Sequence, residues 1–341
     1  MNQIKALREQ INKARTAVIV SHYNPDGDAI GSSLAIYHLL SKSGIDAQVI
    51  MPNDYPDFLK WMPGHAEIMI YEKSREAAEK LIEKADLIFC MDFNHLTRIK
   101  EMGHAVARSK AWKVMIDHHV NPDAFPDFLR HNPRAGSTAE LVYEVILELG
   151  DKALIDRDMA ACIYTGILTD TGAFQFSSTT PRVHRIAADL LEKGINGYEI
   201  YDRIFNSYDE NRLKFFGFCW TRRMEIIAGG RAGIIGVSAA DQFRFRLKKG
   251  DTEGLVNTPL QIKGVLLSAF AKVQDKVVKL SFRSKGHIDV NQMARSYFNG
   301  GGHVNAAGGM MEEPLEEVMK KLKKIIPEYL KQYQNKENEK L

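Results

Sequence analysis

The chain has 341 residues, 45% of them hydrophobic and 26% charged, with a net charge of +3. That length and balance suit about two ordinary globular domains, confine disorder to the ends, and are too nearly neutral to declare a nucleic-acid binder. No apolar run approaches the roughly 20 residues of a membrane helix, and three distant cysteines, Cys90, Cys162 and Cys219, argue against a disulfide framework and a thiolate zinc site.

The opening stretch MNQIKALREQINKARTAVIV reads as an amphipathic helix and then a strand, not as a signal peptide, so a cytoplasmic location is expected. TAVIVSH reads as a buried parallel strand, DAIGSSLAIYHLLSKSG as a helix with a glycine stop, and DAQVIMP, ADLIFCMDF and WKVMIDHH as further strands. Strands alternating with helical patterns predict an α/β fold whose mostly parallel sheet is flanked by helices. Ligands in such sheets bind beyond the carboxyl ends of the strands. Ser137 and Glu140 have capping-box spacing before an apolar-periodic helix, whose N-terminus is either a plain cap or an anion site. MAACIYTGILTDTGAF is a helix running into Asp170, and STTPRVHRIAADLLEKG another, with Pro181 near its start.

Residues 196–223 continue in helical patterns and read as a connector. From about Glu225, RAGIIGVS and IKGVLLSAFAKVQDKVVKLSFRS with glycine turns predict a smaller α/β domain with a mixed sheet. Between Thr221 and Val290 thirteen Lys and Arg stand against six Asp and Glu, a surplus that suits a phosphate-rich partner or a basic solvated face. The expected division is 1–195 for the parallel-sheet domain, 196–223 for the connector, 224–331 for the smaller domain and 332–341 for a polar, frayed tail. No internal repeat is visible.

SHYNPDGDAIGSS places His22, Asp26 and Asp28 directly after the first strand, in a loop that Pro25 and Gly27 keep from becoming helix, although Asp and Gly are also ordinary turn residues. Asp92 ends LIFCMD, and Asp117, His118 and His119 end VMIDHH; along a strand Asp117 and His119 share one side and His118 takes the other. Asp170 adds a further acid. Carboxylates crowded at strand ends repel one another, so a cation is the natural compensation. Aspartate and imidazole without thiolate fit Mn²⁺ or Mg²⁺ better than structural zinc. The number of acids suggests two ions about 4 Å apart, one activating water and one stabilising the leaving oxygen of an in-line displacement at phosphorus.

In the second half, NGGGHVNAAGG sets three glycines before His303, either a backbone that can approach a phosphate closely or a flexible turn before a helix. Arg283 in SFRSKGHIDV could clamp a phosphate with its planar fork, while Lys285 and His287 read as solvated. Arg244 and Arg246 in DQFRFRLKK have strand spacing with aromatic neighbours and read as a half-buried strand with charged edges, outside the site. His38, His65 and His184 read as structural.

SHYNPDGDAIGSS, MDFN, IDHHVNP and TDTGAFQFSS, in that order, resemble the four motifs of the DHH phosphoesterase superfamily, and GGGHVNAAGG resembles the signature of its DHH-associated C-terminal domain. The compact length is most similar to the bacterial nanoRNase/pAp phosphatase group; the superfamily's longer single-strand DNA exonucleases carry an OB-fold domain for which there is no room. The resemblance implies that His22, Asp26 and Asp92 bind a first ion, and that Asp28, Asp92, His118 and Asp170 bind a second, with Asp92 bridging. It further implies that His119 faces the scissile phosphate and that Asp117 orients an imidazole. His303, with Gly301, Gly302 and Arg283, would hold the phosphate or terminal nucleotide from the opposite wall of a cleft.

The expected activity is metal-dependent hydrolysis of very short RNA to mononucleotides, and of 3′-phosphoadenosine 5′-phosphate (pAp) to AMP, with two divalent cations, Mn²⁺ before Mg²⁺. Short RNA and nucleotide phosphates are the expected partners, with no membrane and with a homodimer open. The alternatives are a cyclic or linear dinucleotide phosphodiesterase, an inorganic pyrophosphatase or polyphosphatase, and, outside the enzymes, a catalytically silent nucleic-acid-binding protein. The last has no need of six metal-ligand residues.

Overall fold

The computed structural model describes residues 3–248 and 250–338. The chain divides into two compact units, Met1–Ser207 and Tyr208–Leu341, and the division falls inside the stretch read as a connector.

In the first unit the strands are β1 (Thr16–Ser21), β2 (Asp46–Met51), β3 (Met69–Ile70), β4 (Leu87–Met91), β5 (Trp112–Asp117) and β6 (Phe128–His131). The helices are α1 (Gln3–Lys13), α2 (Gly27–Lys42), α3 (Arg75–Lys84), α4 (Met102–Arg108), α5 (Thr138–Glu148), α6 (Arg157–Asp170), α7 (Pro181–Leu191) and α8 (Gly197–Phe205). The sheet runs β3-β2-β1-β4-β5-β6 with every neighbouring pair parallel. Alternate residues of β1 feed two separate cores, Ala17 and Ile19 into one and Val18 and Val20 into the other. Burial on both faces explains why the strand reads as an unbroken apolar run.

The strand order reverses between β1 and β4, the place where a crevice opens beyond the carboxyl ends in doubly wound sheets. Ser21 lies level with Met91, and Met91 with Ile116. The next residue along each strand, His22, Asp92 and Asp117 in turn, is therefore delivered to one edge. Helices α2 and α6 meet closely there: a Cβ on Gly31 would stand 2.4 Å from the Cys162 carbonyl oxygen, and one on Gly166 would stand 2.8 Å from Asp28 Oδ1. This contact sets the first turn of α2 beside α6, which ends in Asp170.

The second unit contains α9 (Glu210–Phe218), β7 (Met224–Ile227), β8 (Ala232–Val237), α10 (Ala239–Arg244), β9 (Leu267–Gln274), β10 (Val277–Ser284), α11 (Val290–Tyr297), β11 (Gly301–His303), β12 (Ala306–Met311) and α12 (Leu315–Asn338). Its sheet runs β11-β12-β10-β9-β8-β7 and is mixed, with β8 and β9 parallel and the other pairs antiparallel.

Three local expectations change. DQFRFRLKK is not a strand: Ser238 and Asp241 form a capping box that starts α10, and Arg223 pairs with the Asp241 carboxylate. The local capping chemistry outweighs the alternating Phe and Arg. NGGGHVNAAGG is the β11–β12 hairpin, not a turn before a helix. The tail read as frayed over 332–341 continues α12 to Asn338, since KQYQNKEN contains good helix formers and no glycine or proline stop; residues 339–341 lie outside the described residues. All three cysteines are free and buried. Among the described residues, no helix is long and apolar enough to cross a membrane.

Candidate metal centre

Asp26 is the N-cap of α2, and its Oδ1 accepts the N–H groups of Asp28 (3.1 Å) and Ala29 (3.0 Å). Its Oδ2 lies 3.8 Å from His22 Nε2, which is 3.4 Å from Asp92 Oδ2. Asp28 does not stand in a surface loop, as the DGD pattern suggested. It belongs to the first turn of α2 and is only 1% exposed. Both of its oxygens accept N–H groups at the N-terminus of α5, from Thr138 (2.6 Å) and Ala139 (2.9 Å). The anion site anticipated at that terminus is thus filled by the protein's own carboxylate, where free N–H groups and the helix dipole favour negative charge. Ser137 Oγ accepts the Glu140 N–H as expected, but the Glu140 side chain accepts from Gly136, one residue earlier than a capping box requires.

Asp92 is the hub. Its backbone is left-handed (φ 61°), and its N–H donates to the Ile116 carbonyl oxygen (3.0 Å). Such a conformation is costly for a residue with a Cβ and persists where surrounding bonds hold it. Its Oδ1 accepts from Thr138 Oγ1 (2.8 Å) and lies 3.6 Å from His118 Nε2 and 3.7 Å from His119 Nδ1. His118 Nε2 is also 3.3 Å from Asp170 Oδ2. Because β5 ends at Asp117, the strand alternation stops and both imidazoles turn to the same side, meeting edge to face at 5.1 Å. His119 Nδ1 bonds to Asp117 Oδ1 (2.8 Å), so the imidazole that Asp117 supports is His119.

Among residues of the first unit alone, three sets of donor atoms each lie within 4.8 Å: His22, Asp26 and Asp92; Asp28, Asp92 and His118; Asp92, Asp117 and His119. Asp92 is common to all. Burial, followed by the charges of Asp92, Asp170 and Asp26, lifts the Asp28 carboxyl well above its ordinary value. Burial also pushes Asp92 upward, but the His22 hydrogen bond and the charges of His119, His22 and His118 hold it well below. Burial lowers His22 and His118, and the neighbouring aspartates outweigh it, so both sit above the ordinary imidazole value. Two carboxyls driven in opposite directions mark a pocket with more negative charge than its histidines balance. Oxygen and imidazole donors around that charge fit divalent cations of the Mn²⁺ or Mg²⁺ kind.

Within the second unit, Arg283 on β10 and His303 on β11 both pair with Ala306 on the intervening β12. Residues opposed across antiparallel strands share a face, so Arg283 and His303 flank a small residue on one half-exposed side of the sheet. The glycines serve the hairpin itself: a Cβ on Gly302 (φ 152°) would stand 2.4 Å from the Ala306 carbonyl oxygen. Gly301 has more room, 3.6 Å to its nearest neighbour. Asn305 Nδ2 donates to Ser284 Oγ and to the Gly286 carbonyl oxygen, latching the hairpin turn to the loop after β10. Lys285 and His287 are exposed, as expected. His38 bonds to the Pro63 carbonyl, and His184 stacks on Phe174.

Several participants were not anticipated. Thr138 binds two of the acids, yet reads only as the start of a helix. His131 holds the His119 carbonyl oxygen (2.6 Å) from β6, a strand too short to show as a pattern. Arg98, beyond Asp92, reaches His119 with no signal in its neighbours.

The parallel-sheet fold, with buried aspartates and histidines gathered beyond its strand ends, is that of a hydrolase acting on phosphoester bonds. Residues 16–167 match the DHH family, N-terminal domain, and residues 235–332 match the DHHA1 domain. The bifunctional oligoribonuclease and PAP phosphatase NrnA of Thermus thermophilus is 31% identical over 86% of this chain and 83% of its own. Its Bacillus subtilis counterpart is 28% identical over 86% and 88%. The crystal structure of an exopolyphosphatase-related protein from Bacteroides fragilis superimposes with a TM-score of 0.91 at 42% identity, covering 97% of this chain and 96% of that one. The chain belongs to the DHH family and carries a DHHA1 domain.

Proposed function

We propose that the protein hydrolyses very short RNA oligonucleotides to mononucleotides and pAp to AMP. The observation that carries this reading is the buried Asp92 carboxylate shared by three groups of donor atoms, in a chain similar over most of its length to the NrnA proteins. His22, Asp26 and Asp92 would hold one divalent cation, and Asp28, Asp92, His118 and Asp170 a second, with Mn²⁺ preferred to Mg²⁺. Cations bound there supply a water of lowered pKa and neutralise charge on the phosphoryl oxygens.

The chain's own groups do the rest. Asp117 fixes the ring of His119, leaving Nε2 to face the scissile phosphate. Thr138 and the N-terminus of α5 hold Asp92 and Asp28 in place, so the ligands need little reorganisation. Arg283, Gly301, Gly302 and His303 of the DHHA1 domain would hold the terminal nucleotide and set substrate length. Catalysis would thus reside in the first unit and size selection in the second.

The test is product release from a 5′-labelled RNA dinucleotide, a five-residue RNA and pAp, each with Mn²⁺, Mg²⁺ or chelator. Metal-dependent mononucleotide from both RNAs and AMP from pAp are expected. No turnover of any of them, with turnover of pyrophosphate, polyphosphate or a cyclic dinucleotide, would overturn the substrate assignment.

A further inference from the structure

We propose that Arg98 binds a non-bridging oxygen of the scissile phosphate beside His119, a substrate contact that rests on the phosphoesterase reading above. Arg98 lies in the short 3₁₀ turn Leu96–Ile99, a few residues beyond Asp92. Its backbone is fixed from three directions. The Arg98 carbonyl oxygen accepts the Tyr23 N–H (2.8 Å), tying the turn to the segment that carries His22. The Arg98 N–H donates to the His95 carbonyl oxygen (2.9 Å), and Ile99 is wholly buried in the core beneath. The turn therefore spans the crevice between β1 and β4, anchored to the segments that leave both strands.

The side chain is half-buried, and its Nη2 stands 3.5 Å from His119 Nε2. Its positive charge also reaches His22, whose protonation it opposes. Among the described residues no carboxylate lies within 4.0 Å of it. The other half-buried arginines of this unit are paired, Arg8 with Asp151 at 2.6 Å and Arg130 with Glu148. A guanidinium partly withdrawn from water needs an anion. Here the nearby acids already face His22, His118 and His119, and the groups Arg98 does face are imidazoles.

A phosphoryl oxygen satisfies this arrangement. His119 Nδ1 is committed to Asp117, so its Nε2 and the Arg98 Nη2 border the same small space from two elements. A phosphate oxygen there would take an N–H from the planar arginine fork, a stronger bond than the 3.5 Å approach to the imidazole that it replaces. The positive charge would also act on the equatorial oxygens as charge redistributes during P–O cleavage, so its loss should lower kcat as well as raise KM.

The test compares the wild-type protein with Arg98→Met and Arg98→Lys, each loaded with Mn²⁺. Titration with inorganic phosphate, titration with Mn²⁺ and the melting temperature are measured beside turnover of the RNA dinucleotide. For Arg98→Met we expect phosphate affinity to fall about tenfold or more and kcat/KM about a hundredfold, with Mn²⁺ affinity and melting temperature unchanged. Arg98→Lys should recover part of both losses, as a point charge without the fork.

Phosphate affinity equal in the wild type and Arg98→Met would overturn the proposal, and so would undetectable phosphate binding by the wild type. A parallel fall in Mn²⁺ affinity would also overturn it and make Arg98 a support of the ligands instead. Phosphate titration does not depend on which ester is cleaved. A wild type that binds phosphate through Arg98 but turns over neither RNA nor pAp would support the contact while rejecting the substrate assignment.

Discussion

Asp28 illustrates how one carboxylate can belong both to a helix end and to a candidate metal centre. Its two oxygens accept the Thr138 and Ala139 N–H groups, while burial first and the neighbouring acids second push its carboxyl toward protonation. Asp28→Asn nearly keeps the shape, relieves the repulsion and removes the charge that a cation would use, but its amide oxygen accepts only one of the two N–H groups and its NH2 is turned toward the other. The expected outcome is a metal-free melting temperature between those of Asp28→Ala and the wild type, since one of the two N–H groups keeps its acceptor, with the rise produced by Mn²⁺ largely lost. Asp28→Ala leaves both buried N–H groups without an acceptor, at ~1–3 kcal/mol each, so it should destabilise even the metal-free protein in chemical denaturation. Equal Mn²⁺ stabilisation of the wild type and Asp28→Asn would remove Asp28 from the ligand set. The aspartates and histidines of this centre were legible in the sequence because each falls at the end of a strand or helix pattern. The setting of Asp28 was not. Gly27 reads as a helix breaker, yet it is the first residue of α2, so close to α6 that a Cβ would meet the Thr169 side chain at 2.5 Å.

The close approach of α2 and α6 decides where Asp28 and Asp170 stand, and Gly31 permits it. A methyl group at that position would meet the Cys162 carbonyl oxygen at 2.4 Å, and a backbone oxygen cannot rotate away as a side chain can. Gly31→Ala should therefore push the helices apart and cost ~1–3 kcal/mol, read as a lower denaturation midpoint at unchanged slope. Because the displaced helices carry Asp28 and Asp170, the ligands proposed for the second cation, Mn²⁺ affinity should fall in calorimetric titration. An Ala variant with wild-type stability and affinity would show that the contact is dispensable. Elements buried on both faces, such as β1 and β4, were readable because nothing interrupts their apolar runs. The four-residue β6 and the two-residue β3 were not, since such lengths carry no period. Helix α10 was misread for a different reason: alternating Phe and Arg resembled a strand, while the Ser238–Asp241 box that settles the local structure lay just upstream. The glycines of β11 were noticed, but Gly302 answers a steric demand between backbones that only the paired strand reveals.

For the whole molecule, protons and cations should compete for one charge deficit. In the metal-free protein His22 and His118 lie above the ordinary value of 6.5, and Asp28 lies well above 3.8. A group whose value is raised by folding stabilises the native state below its unfolded value, and that contribution is lost as pH rises through the folded value. All three groups thus act in the same direction: the metal-free protein loses their contribution on going from acid toward alkaline conditions, the histidines above about pH 6.5. Asp92 is lowered and acts in the opposite sense, but its contribution is lost only in acid, below its unfolded value near 3.8. A divalent cation substitutes for the protons that are released, so its binding should strengthen with pH. The quantity to measure is the melting temperature in saturating Mn²⁺ minus that in chelator, at pH 6 and at pH 8. Subtraction cancels the titration of groups remote from the centre. The difference should be larger at pH 8; a difference that stays constant, or shrinks, would mean that the buried aspartates and histidines are not what the cation engages.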